Sequence, residues 1–66
     1  MKVIFDEQND ALYVRLDHTP IAESEAAQPG VILDFDELGR VVGIEILGVL
    51  DRIDRADLRS MHFEIA

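Results

Sequence analysis

The chain contains no cysteine, which excludes disulfide staples, thiolate metal ligands and cysteine nucleophiles. Basic residues are scarce: six lysines and arginines stand against 14 aspartates and glutamates, a formal net charge of -8. That balance opposes binding to nucleic-acid phosphates or anionic membranes and suits a basic partner. No apolar run approaches the roughly 20 residues of a membrane-spanning helix, and Met1-Lys2-Val3-Ile4-Phe5-Asp6 lacks the pattern of a secretory signal. The expectation is a cytoplasmic protein with neither a membrane nor a nucleic-acid partner. Glycine-rich phosphate loops are missing too, because the four glycines are dispersed along the chain.

What is present is a hydrophobic fraction of 48%, enough to require a folded core. The 66 residues are read as one domain, 1–66. Its main feature is an internal repeat offset by thirty residues, with Val3 to Leu16 lying over Leu33 to Ile46. In both copies an alternating apolar run ends at Phe-Asp-Glu, a residue that tolerates positive φ follows (Asn9 or Gly39), and a second alternating run begins. Aspartate at the first turn position accepts hydrogen bonds from the next amides, and Asn or Gly supplies the left-handed residue, so each copy reads as a β-hairpin. The period of two places Val3, Phe5, Leu12, Val14 and Leu16 on one face, and Leu33, Phe35, Val42, Ile44 and Ile46 on the same face of the second hairpin.

Between the hairpins, residues 18–30 hold two prolines and a glycine and are read as loop, with a short extended edge or a single helical turn over Ile21 to Ala27 as the alternatives and Pro29-Gly30 as a turn that launches the next strand. After Ile46 the period changes. Val49, Leu50, Ile53, Ala56 and Met61 recur at helical spacing, which predicts an amphipathic helix from about Gly48 to Ser60; a break with Asp54 as a second cap is the alternative. The expected fold is therefore α+β: a four-stranded antiparallel sheet from two β-hairpins, with a C-terminal helix packed on one face. A small sheet leaves strand edges and an apolar patch open, so a homo-oligomer is also expected.

Nothing in the pattern requires an enzyme. Asp34, Asp36, Gly39 and Glu45 imitate positions of a calcium-binding loop, yet Leu38 stands where an oxygen ligand belongs, and the segment alternates like a strand pair. His18 and His62 are isolated, and Ser24 lies between Glu23 and Glu25 with no base partner in the pattern. No metal, cofactor or catalytic residue is assigned. The mixed sheet face carries Lys2, Ile4, Tyr13, Arg15, Ile32, Asp34, Val41 and Glu45. Arg15 and Glu45, equivalent in the repeat, are expected to pair if their strands are neighbours.

Asp10 to Leu16, Glu23-Ser24, Pro29 to Asp36 and Gly39 to Leu47 together resemble the YuzE-like family, small prokaryotic proteins of unknown function. The resemblance spans roughly residues 1–50 and weakens after Leu47. It implies an antitoxin role for a non-enzymatic interaction module whose partner is a basic protein, a toxin candidate encoded nearby. The candidate interaction surface is Tyr13, Arg15, Glu23, Ser24, Asp34 and Glu45. The alternative is a homo-oligomeric protein that binds a small ligand or cation on the mixed face.

Overall fold

Both Phe-Asp-Glu segments make the turns their residues call for. A computed structural model describes residues 1–66. Asp6 Oδ1 accepts hydrogen bonds from the amides of Gln8 and Asn9, at 3.0 and 3.2 Å. Asp36 Oδ1 does the same for Leu38 and Arg40, both at 2.9 Å. The left-handed residue of the second turn is Gly39, at φ 78. In the first turn it is Asp10, at φ 50, and not Asn9, whose side-chain amide instead donates to Asp6 Oδ2. Asp10 thereby turns its carbonyl toward the amide of Gly48 and its carboxylate toward that of Leu50.

The strands are β1 (Lys2–Asp6), β2 (Ala11–Arg15), β3 (Glu23–Gln28), β4 (Val31–Phe35) and β5 (Val41–Leu47). They form one antiparallel sheet in the order β1-β2-β5-β4-β3. The expected four-stranded sheet is corrected to five strands: Glu23–Gln28, read as loop, pairs with the free edge of β4. Every residue of β3 is exposed. No burial pattern marks it, and the hydrogen-bonding edge of β4 makes it a strand. The turn expected at Pro29-Gly30 is present, with Gly30 at φ 81.

The expected helix packed on the sheet is also corrected. A three-residue 3-10 turn (Val49–Asp51) and a single helical turn, α1 (Arg55–Leu58), replace it. Left-handed Gly48 precedes the 3-10 turn, and extended Asp54, at φ -78 and ψ 150, separates it from α1. Helices shorter than about 12 residues need tertiary packing to persist, and here the apolar side chains serve other ends. Val49 is buried beside the Asp10 turn, and Arg55 pairs with Glu7 at 3.3 Å. Residues 61–66 have no regular structure and are exposed.

The register gives the sheet two distinct faces. One presents the rows Val3-Val14-Ile44-Leu33 and Phe5-Leu12-Ile46-Val31, with Glu25 and Gln28 of β3 at their edge. These are the apolar positions expected from the alternation, joined by Val31. Val14 and Ile44, equivalent in the repeat, face each other across β2 and β5. An approximate twofold axis therefore passes between them and relates the hairpins. α1 reaches only the end of this face, where Phe5, Arg55 and Leu58 line a shallow groove. Val42 and Val49 are the only buried apolar side chains, and Val3 remains 38% exposed.

Candidate functional site

The other face carries the rows Ile4-Tyr13-Glu45-Ile32-Ala26 and Lys2-Arg15-Gly43-Asp34-Ser24. The twofold axis maps this face onto itself, but its residues do not repeat: Tyr13 corresponds to Gly43, Arg15 to Glu45, and Ile4 to Asp34. Glycine inside a strand marks a close approach, and Gly43 is such a case. A Cβ there would stand 3.0 Å from Asp34 Oδ2 and 3.1 Å from the Tyr13 hydroxyl. The missing side chain is the space into which the tyrosine ring and the aspartate converge.

Asp34 is the centre of this cluster, at 2% exposure among five buried residues of the chain. Ser24, on the edge strand, donates its hydroxyl hydrogen to Asp34 Oδ1 at 2.6 Å. Burial pushes the Glu45 carboxyl above its usual range, and the neighbouring Asp34 charge and a hydrogen bond with it push in the same direction. Burial also raises the Tyr13 hydroxyl; the Arg15 guanidinium opposes this and Asp34 adds to it. Tyr13 is therefore a neutral hydroxyl at physiological pH.

Arg15 makes no ion pair with Glu45; the register sets Arg15 opposite Gly43, and Tyr13 opposite Glu45. Its Nε donates to the carbonyl of Asp17 at 3.0 Å and its Nη2 to that of Thr19. These bonds fold residues 17–19 back onto β2. Asp17 is occupied as well, since its carboxylate accepts from the amide of Thr19 at 2.9 Å and is held below its usual range chiefly by that bond. Arg15 Nη1 is buried and has no hydrogen-bond partner in the chain. Arg15 also lines an open cavity of about 510 Å³, together with Met1, Lys2, Ile4, Tyr13, Asp17 and His18.

Of the six residues of the candidate surface, Tyr13, Arg15, Ser24, Asp34 and Glu45 share this face. Glu23 does not. It pairs with Phe35 and lines a separate depression with Glu25 and Asp36, because alternation turns it away from Ser24. The positions of the calcium-loop pattern also part company, since Asp36 is bound to its own turn and to Arg40 at 2.9 Å. No group of three or more His, Asp or Glu side chains is arranged to hold a metal ion. Sequence reasoning missed Gly43 and the contribution of His18, while alternation had already set Lys2 on this face. A glycine interrupting an alternating strand was the available signal for the first; nothing local marked the second.

The family model described as "Protein of unknown function (DUF2283)" matches residues 2–49, all five strands and the start of the 3-10 turn. No curated protein and no solved structure matches the chain. No helix is long and apolar enough to cross a membrane.

Proposed function

The chain belongs to the DUF2283 family of proteins of unknown function, and on that premise we propose that it is a non-enzymatic protein-interaction module that docks through its apolar sheet face. The observation that carries this reading is area. A folded monomer of 7.4 kDa should expose about 4,200 Å², whereas this chain exposes 5224 Å². The excess is about 1,000 Å², compared with the roughly 800 Å² that each partner buries in a stable interface. Part of it belongs to the extended tail, with Met61, Phe63 and Ile65 exposed, and part to the uncovered rows around Val14 and Ile44.

In isolation the partner is a second copy, apolar face to apolar face, as two sheets pack in a sandwich. This leaves the mixed faces outward, and the net charge of -8 carried by the chain as a whole suits a basic protein. The resemblance to YuzE-like proteins supplies the finer reading, an antitoxin for a basic toxin encoded nearby. The alternative, a homo-oligomer that binds a small ligand, shares the same assembly and places its function on the Tyr13–Asp34 face.

Light scattering on a size-exclusion column tests the assembly, with a mass of twice 7.4 kDa expected at micromolar concentration. A monomer at every concentration, together with no complex on co-expression with the neighbouring gene product, overturns the proposal.

A further inference from the structure

We propose that the cavity beside Arg15 is a binding site for a small organic oxyanion, a carboxylate or a phosphate ester. Three observations converge on it. The cavity holds about 510 Å³, within the range of small-molecule sites. It gathers Lys2 and Arg15, two of only six basic residues in a chain of net charge -8, and its single carboxylate, Asp17, is occupied by the Thr19 amide. Finally, Arg15 Nη1 is buried without a partner. A buried, unsatisfied charged donor is costly, and a planar oxyanion is the acceptor that a guanidinium fits best.

The rest of the arrangement suits the same ligand. Carbonyls of Asp17 and Thr19 hold two of the three guanidinium nitrogens, so the group is oriented before any ligand arrives. Ile4 and the Tyr13 ring form an apolar wall for an organic substituent. Buried Asp34 lies across Gly43 from Arg15, and half-buried Glu45 stands opposite Tyr13. The site sits on the face opposite the docking surface, so its occupancy does not depend on assembly.

Amide-resolved NMR titration of the full chain with sodium benzoate and with sodium phosphate, against sodium chloride at matched ionic strength, tests the proposal. Saturable shifts at Lys2, Ile4, Tyr13 and Arg15 with benzoate, phosphate or both, and none with chloride, are expected. Whichever of the two saturates identifies the oxyanion class. Arg15→Gln should weaken binding about tenfold or more. Since Arg15 also anchors residues 17–19, Lys2→Gln provides a variant that leaves these contacts intact, with a weakening of about threefold. Non-saturating drift common to all three salts overturns the proposal, as do shifts that map away from β1 and β2, or unchanged affinity in a folded Lys2→Gln or Arg15→Gln protein.

Discussion

The two faces of the sheet are built on one frame and differ in how far they repeat. Across the approximate twofold axis the apolar face repeats itself, with Val3, Phe5, Leu12 and Val14 answered by Leu33, Phe35, Val42 and Ile44. The polar face repeats nothing: a tyrosine answers a glycine, and an arginine answers a glutamate. Apolar packing is non-directional and tolerates any residue of suitable volume. Hydrogen bonding and charge require particular atoms at particular distances. A duplicated frame can therefore keep one face for assembly while the other diverges into a site.

Ile44→Asp breaks this comparison most severely. Ile44 lies at the centre of the apolar face, opposite Val14 and Leu33. A carboxylate there removes roughly 1.5–3 kcal/mol of apolar burial and adds a desolvation penalty. Self-association should weaken more than about a hundredfold, read by light scattering, while the oxyanion titration is unchanged. If both properties fall together, the faces are not independent.

Gly43→Val breaks the other face. The new side chain drives into Asp34 Oδ2 and the Tyr13 hydroxyl, an overpacking that costs about 1–3 kcal/mol, measured by urea unfolding. Combining it with Tyr13→Ala should recover part of the loss, because the two side chains compete for one space. Equal loss in the single and double variants would mean that the gap does not serve the tyrosine.

The smallest effect concerns pH. Burial and Asp34 raise Glu45 above 4.5, so the native state holds its proton more tightly than the unfolded chain does. The stability this contributes is complete below 4.5 and is lost as pH rises through the raised value. Asp36, held below 3.8 chiefly by the Arg40 amide, acts oppositely: its contribution is present above 3.8 and lost as pH falls through its lowered value. Asp6 and Asp17, also lowered, act with it. Stability should therefore peak in mild acid. Glu45→Gln should raise the urea midpoint at pH 7 relative to the native chain, and the difference should vanish near pH 4. A difference that persists at pH 4 would trace to packing instead of charge.

The hairpins were legible in the sequence because their information is local. A turn aspartate bonds amides two to four residues away, and alternation records which face each strand buries. The repeat likewise announced that the second strands are equivalent, and five of the six surface residues fell on one face for the same reason of period. What local pattern could not carry was the outcome of competition between distant segments. Glu23–Gln28 became a strand because β4 had an unpaired edge. The amphipathic spacing after Gly48 failed to yield a helix because Asp10, some forty residues away, captured the amides of Gly48, Val49 and Leu50.

By itself, then, the sequence determined two hairpins, their turns, the apolar face and the acidic surface, each through contacts within a few residues or through composition. Only the tertiary structure decided which strands adjoin. That choice set Arg15 opposite Gly43 rather than Glu45, buried Asp34, and opened a cavity beside a guanidinium. Strand order is a contest among edges separated by long stretches of chain. Loop closure sets its entropy cost and the fit of whole faces sets its reward, and neither quantity is written at any single position.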